Sequence, residues 1–378
     1  MNFLQSYLLF SNSVKSRKTP FVTFGLIEIM AKKKRKGLKI GLLLFVVAFF
    51  VCAGIVWKYY GKIYERAVHI SEEEQYLFIK TGWDRDQLIS HLYLEGILKD
   101  TSSFIWLADQ KKYLTPKPGR YLISDGMSNN VLVNLLRSGA QVPVQLTFNT
   151  IRTAKDLAGK VGKQIEADSA QIYSMLTNTS VASKYGFNKQ TFLTLFIPNT
   201  YEVYWNMSAE EFIGKMAQEY KRFWNEERLA KARKIGLSQS EVSILASIVQ
   251  AEQSQHRDER PKVAGLYLNR IKKGMKLESD PTLVFAHGDF SIRRVLNKHK
   301  KIVSPYNTYK RVGLPPGPIN LPEFSSFEAV LNSEKHDYIF MCAKADFSGY
   351  HDFSKTYRQH VNYANAYRRE LNKRRIMK

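Results

Sequence analysis

A run of about 20 residues, LKIGLLLFVVAFFVCAGIVW from Leu38 to Trp57, constrains this chain more than any other feature. Its only charge is Lys39, near one end. A helix of that length, rising 1.5 Å per residue, crosses the ~30 Å hydrocarbon layer of a bilayer. Lys32, Lys33, Lys34, Arg35 and Lys36 stand immediately before it. The positive-inside rule puts that basic end, residues 1–37, in the cytoplasm as a tail. Everything after residue 57 is then expected outside the cytoplasmic membrane, and Trp57, Tyr59 and Tyr60 suit the far interface. A cleaved signal peptide is the competing reading. The run is long for one, and no small-x-small cleavage site follows, so an uncleaved single-pass anchor is expected. Residues 1–29 lack clear periodicity, and Met30-Ala31-Lys32 would make an ordinary start. Met30 is therefore the expected initiator, with the upstream stretch a mis-called start.

The whole chain carries 57 Lys and Arg against 34 Asp and Glu, a formal net charge of +23. Such an excess suits nucleic acid, an anionic membrane surface or an anionic polymer. No zinc-finger spacing, RNA-binding signature or P-loop occurs, and an outward topology separates the basic part from nucleic acid, so no nucleic-acid partner is expected. With 44% hydrophobic residues the chain has material for real cores. Two cysteines, Cys52 and Cys342, lie in segments of different character and provide no disulfide framework. The eight histidines show no HExxH or paired-ligand spacing, so neither a metal nor another cofactor is expected.

The stretch from Ser238 to Val263 carries the chemistry. Ser238 with Glu241 is a capping-box signature. Leu245, Ile248 and Val249 then recur at helical spacing, and Glu252 falls on the same stripe. Gln250 lies roughly 200° around the helix from Glu252. A carboxyl on a buried face is costly as an anion, so its pKa rises and it can serve as a general acid. An ion-paired or partly exposed glutamate at a helix end is the structural alternative.

Around this helix the periodicities predict an α+β chain in two folded parts. Residues 70–145 read as a small module. Tyr76–Ile79 and Tyr121–Ile123 suit strands, 86–95, 101–109 and 131–136 suit helices, and Val142–Phe148 alternates as a further strand. Residues 146–372 read as one larger α+β domain. It holds helices at 151–165 and 168–176, a long charged amphipathic helix at 211–234, and a helix from Pro261 stopped by Gly274.

Five segments carry a family resemblance: FIPNTYEVYW (196–205), LASIVQAE (245–252), ERPKVAGLYLNRIKKGMKLESDPT (259–282), SPYNTYKRVGLPPGPI (304–319) and GYHDFSKTYRQH (349–360). In this order they resemble the endolytic murein transglycosylases, or YceG-like proteins. The resemblance implies an anchor, a LysM-like subdomain that binds glycan or acts as a spacer, and a catalytic domain. It implies cleavage of MurNAc–GlcNAc bonds in nascent peptidoglycan strands, leaving 1,6-anhydroMurNAc ends and limiting strand elongation. It also suggests association with the peptidoglycan synthesis machinery.

The family's catalytic glutamate falls at Glu252, and relatives often carry a glutamate where this chain has Gln250. One acid suffices for such a reaction. Glu252 protonates the glycosidic oxygen and then, as a carboxylate, accepts the proton of the tethered muramic 6-hydroxyl, whose intramolecular attack replaces water. Asn307 and Tyr309 are candidates for sugar binding, with turn packing as the alternative. Arg270, at the end of its helix beside Asn269, braces either the site or the substrate. Asp280 is the best second carboxylate, or else forms an Asx-turn before Pro281. His351 and His360 could orient substrate or be satisfied polar residues near a strand end. Gly313–Gly317 reads as a rigid cleft-wall loop, and Cys342 as an inert core thiol.

Overall fold

The structure, a computed structural model, describes residues 23–374, with side chains from residue 38. The expectation about residues 1–29 lies for the most part outside the described residues. Helix α1 (Thr23–Tyr64) runs far beyond the apolar core of the predicted span. Its Leu38–Tyr64 portion is long and apolar enough to cross a membrane, and none of its most apolar stretch is buried in the protein.

The small module follows with β1 (Glu74–Ile79), α2 (Arg85–Leu94), α3 (Thr101–Gln110), β2 (Gly119–Ser124) and α4 (Asn129–Ser138). Strands β1 and β2 pair antiparallel, with Tyr76 opposite Leu122. Leu77, Ile79, Tyr121 and Ile123 turn into a core closed by Leu88, Leu92, Phe104, Leu132 and Leu136. Every helix here is capped by a side chain: Asp84, Asp100 and Ser128 each accept from a first-turn N–H. The end of α1 docks on this module. Asn129 Nδ2 donates to the Lys62 carbonyl at 3.1 Å, and the Tyr59 and Trp106 rings sit 5.0 Å apart.

Next come β3 (Val144–Phe148), α5 (Ala154–Val161), α6 (Ser169–Thr177), α7 (Thr179–Lys184) and β4 (Asn199–Val203). Expected to complete the small module, β3 instead pairs antiparallel with β4. Its alternate side chains Val144, Leu146 and Phe148 enter the larger core, where Phe148 meets Tyr201 and Phe212. Burial explains the choice: Phe148 is fully enclosed there. The two parts are tied at their junction. Thr81 donates through its backbone N–H and its hydroxyl to the Glu166 carboxylate, both at 2.6 Å, and Phe78 packs on Trp205 at 4.9 Å.

The single long helix expected over 211–234 is two helices, α8 (Ala209–Phe223) and α9 (Glu226–Ile235). Trp224 leaves helical geometry to bury its ring, and the Asn225 side chain caps the new helix at Arg228 N. Apolar burial at Trp224 plus a fresh cap outweighs one uninterrupted turn. The remaining elements are α10 (Gln239–Glu252), α11 (Arg260–Lys272), α12 (Asp280–His287), α13 (Phe324–Leu331), β5 (Phe340–Ala343), β6 (His351–Ser354) and α14 (Tyr357–Lys373). The described residues thus form a mixed α+β protein with three two-stranded antiparallel sheets, β1–β2, β3–β4 and β5–β6.

Candidate active site

Helix α10 is the spine of the site. The predicted capping box at Ser238 and Glu241 is present in both directions. From Val242 to Val249 every residue is buried, so the helix is enclosed all round rather than along one stripe. Two loop anchors use its middle turn: Ile319 N donates to Ser247 Oγ at 3.1 Å, and Asn320 Nδ2 to the Ser247 carbonyl at 2.8 Å. These fix the loop after Gly313–Gly317 against the helix. Gln250 does face away from Glu252. Its Oε1 accepts from Glu323 N at 2.6 Å and Ser326 Oγ at 3.0 Å, supplying the cap that α13 otherwise lacks.

Glu252 is the last residue of α10, half-buried, and lines a cleft of about 500 Å³. Two hydroxyls from other elements converge on its Oε1: Tyr267 of α11 at 2.8 Å and Ser279, which precedes α12, at 2.5 Å. Among the described residues no donor reaches Oε2. Burial dominates its protonation and raises the pKa, the Ser279 and Tyr267 bonds oppose this, and the Asp280 carboxylate adds to the rise. The C-terminal end of a helix is also the negative end of its dipole, a poor place for an anion. The result is a carboxyl biased toward its acid form at the floor of a cleft.

Ser279 is aimed by a short, tightly held turn. Glu278 adopts φ +55°, in the left-handed region, and its N–H donates to the Thr308 carbonyl. Thr308 Oγ1 accepts from Ser279 N at 3.1 Å and meets Thr282 Oγ1 at 2.8 Å. The segment 304–312 is in this way stitched to the start of α12.

The other expected site residues fall into two groups. Asp280, Tyr309, Arg270 and His351 line the cleft with Glu252. Asp280 begins a helix rather than a local Asx-turn, and its Oδ1 accepts from Tyr309 OH at 2.6 Å. Burial, then the Asp280 carboxylate, pushes the Tyr309 hydroxyl well above its ordinary pKa, so it remains a donor. Arg270 is spent on the scaffold. It donates to the carbonyls of Ile339 (2.6 Å), Lys276 (3.0 Å) and Leu277 (2.9 Å), and to Glu278. Asn307 does not line the cleft. It is fully buried, donates to the Lys300 and Ile302 carbonyls, and accepts from Tyr309 N, so it shapes the turn that presents Tyr309.

His360 lines the cleft and stacks on Phe340 at 5.3 Å. Cys342 stands on the cleft wall, half-buried, rather than in the core, and burial pushes its thiol up to about 11, which leaves it un-ionised at neutral pH.

His351 is held by a partner that no sequence spacing announces. Its backbone N–H donates to Glu259 Oε1 at 2.9 Å and its Nδ1 pairs with Glu259 Oε2 at 2.7 Å, 92 residues away. Gln253, next to the catalytic candidate, donates to the same Oε2. Burial alone would raise the Glu259 pKa, but the bonds from His351 and Gln253 outweigh it and hold the carboxyl below its ordinary range. Tyr267 and Ser279 were likewise not singled out by sequence. Both lie inside the 259–282 motif, and their role appears only when α11 and α12 are packed against the end of α10.

A family model described as YceG-like matches residues 77–366, most of the chain. The chain belongs to the YceG-like family. Curated relatives agree. The endolytic murein transglycosylase of Bacillus subtilis (strain 168) is 28% identical over 297 residues, 75% of this chain and 81% of that protein. The endolytic murein transglycosylase of Streptococcus pneumoniae (strain D39) is 25% identical over 296 residues; here the match covers 70% of this chain but only 53% of the relative. A crystal structure of a YceG-like protein from Listeria monocytogenes aligns at TM-score 0.51 and 25% identity, covering 77% of this chain and 99% of that one. The cleft, the paired hydroxyls on Glu252 and the Glu259–His351 pair all lie inside the YceG-like region.

Proposed function

We propose that this chain is a murein lytic transglycosylase with Glu252 as its single general acid and base. The observation that carries the reading is the placement of Glu252: a carboxyl of raised pKa on a cleft floor, oriented by Tyr267 and Ser279 through one oxygen. Held this way, Glu252 protonates the bridging oxygen of a MurNAc–GlcNAc bond as the sugar ring takes on oxocarbenium character. The carboxylate then accepts the proton of the muramic 6-hydroxyl, which closes on the anomeric carbon and leaves a 1,6-anhydro end. Tethering supplies the nucleophile at high effective molarity, so no second carboxylate is needed. Tyr309, Asp280 and His351 face the same cleft and are assigned to sugar hydroxyls and N-acetyl groups. Arg270 supports the wall on which they stand.

The names of the relatives support the substrate, and the apolar helix α1 supports a single-pass anchor with the cleft outside the cytoplasm. Because the small module is docked on the end of α1 and tied to the larger part through Glu166, the cleft works close to the membrane, where strands are newly made. The LysM-like reading of that module, association with the synthesis machinery and control of strand length belong to the same proposal.

Digestion of purified glycan strands followed by mass analysis of the ends tests it. The wild type releases anhydro ends, one water lighter than hydrolytic ends, and Glu252→Gln lowers the rate by at least about 10²–10⁴. Reducing ends in place of anhydro ends would mean hydrolysis, with Asp280 as the base. No new ends at all would mean a glycan-binding scaffold.

A further inference from the structure

A second polar cavity, of about 360 Å³, lies where α1 meets the small module, remote in sequence from every residue of the catalytic cleft. Lys58, Lys62, Arg66 and Lys99 line it, with Asn129 at its wall. Among the described residues only Arg66 of these cations is held by a carboxylate, that of Asp125. Lys62 sits 5.8 Å over the Trp106 ring, and among the described residues no ion pair reaches Lys58 or Lys99. Asp100, although it lines the same cavity, is spent as the cap of α3: hydrogen bonds from Ser102 and Ser103 hold its carboxyl below the ordinary range. Glu65 is the remaining acid, so the cavity carries a surplus of positive charge.

Its height relative to the bilayer is set by α1. Trp57, at the end of the apolar run, is exposed and belongs at the interface. At 1.5 Å per residue Lys58 and Lys62 stand roughly 2 and 8 Å beyond it, near the inner and outer edges of the ~5–7 Å headgroup layer of one leaflet. Asn129 adds chemical selectivity. It is 4% exposed, its Nδ2 is used by the Lys62 carbonyl, and its Oδ1 is a buried acceptor with no partner among the described residues. Such an orphan is costly unless a donor reaches it.

We propose that this cavity binds the headgroup of an anionic phospholipid, its phosphate between Lys58 and Lys99 and a headgroup hydroxyl on Asn129 Oδ1. Phosphatidylglycerol has both features, whereas phosphatidylcholine has a phosphate but neither net charge nor a donor. The site would fix the small module, and with it the cleft, at a set height over the membrane. It requires only that α1 spans the bilayer and does not depend on the reaction assigned to Glu252.

Native mass spectrometry of the full chain in mild detergent, supplied with either lipid, tests this. The expected result is retention of one phosphatidylglycerol in preference to phosphatidylcholine. Lys58→Ala with Lys99→Ala should lower that retention roughly tenfold or more. Lys58→Arg with Lys99→Arg should keep it, and so should Lys272→Ala with Lys273→Ala, which removes equal charge elsewhere. An unchanged melting temperature shows that the alanine pair is folded. Equal retention of the two lipids by the parent chain, or undiminished retention by the alanine pair, overturns the proposal. Displacement of the lipid by millimolar sodium phosphate also overturns it, since that marks a site for free anions.

Discussion

Ser279 Oγ and Tyr267 OH, brought from two different elements, meet on the same oxygen of Glu252, at 2.5 Å and 2.8 Å. A carboxyl with both donors on Oε1 has its plane fixed and its second oxygen left to carry the transferable proton. The same two bonds favour the anion, against the burial that favours the acid. Glu252 is therefore tuned between two opposed forces, and removing either donor leaves burial less opposed.

That balance predicts the pH dependence of Ser279→Ala and Tyr267→Phe. A general acid works below its pKa, so activity falls on the alkaline side as Glu252 ionises. Each substitution removes a bond that lowers the pKa, and the alkaline limb should move to higher pH in both variants. The measurement is kcat/KM for release of anhydro ends across pH 4–9. A limb that stays in place, or moves to lower pH, would show that these hydroxyls do not govern the proton on Glu252.

Glu259→Gln separates stability from positioning. Because the folded-state pKa of Glu259 is lowered, its contribution to stability is fully present above the unfolded value of about 4.3. It is lost as pH falls through the lower folded value. The melting temperature of the wild type should therefore drop more steeply below about pH 4.5 than that of Glu259→Gln. At neutral pH His351 loses its anionic partner, and a displaced cleft group can cost up to about 10² in kcat. Parallel acid limbs of the two melting curves would remove Glu259 from this account.

Much of this was legible in the sequence because local chemistry dictated it. Ser238 and Glu241 mark the start of α10, Gly274 marks the end of α11, and the placement of Glu252 away from Gln250 needs only 100° per residue. What escaped was set by packing between distant segments. The register of β3 with β4 depends on an aromatic core assembled from Phe148, Phe196, Tyr201 and Phe212, which no local pattern distinguishes from a strand of the small module. The break at Trp224 reflects a tertiary pocket for its ring. Asn307 resembled a ligand-binding amide because a buried turn and a sugar site use the same residue type. Glu259 could not be joined to His351 without the fold that closes 92 residues between them.

Gln250 should tolerate its acidic counterpart. Its Oε1 accepts from Glu323 N and Ser326 Oγ, and a carboxylate at the same place can accept both bonds. Gln250→Glu should therefore melt within a degree or two of the wild type and keep its activity. Gln250→Leu leaves the Glu323 N–H, which heads α13, without its acceptor and should cost about 1–3 kcal/mol in urea-induced unfolding. A Gln250→Leu chain as stable as the wild type would mean that water caps α13 equally well.

Two glycine-to-alanine changes should have opposite signs, and together they test how tightly the cleft wall is strapped to α11. At Gly159 in α5 an added Cβ meets nothing within 4 Å, so alanine should stabilise by up to about 1 kcal/mol through helix propensity alone. At Gly265 in α11 the Cβ would run into the Glu334 carbonyl oxygen and lie 2.8 Å from His336 Nε2. That segment cannot yield freely. Glu334 N donates to the Pro261 carbonyl, and Asn269 Nδ2 donates to the carbonyls of His336 (2.7 Å) and Tyr338 (3.1 Å). Gly265→Ala should therefore destabilise by about 1–3 kcal/mol despite its better propensity. Residues 334–338 also lead directly into β5, whose partner β6 begins with His351, so displacement of the strap should lower kcat as well as the melting temperature. Thermal unfolding of both variants beside their turnover decides it: a Gly265→Ala chain that gains stability as Gly159→Ala does would show that the strap moves aside at no cost.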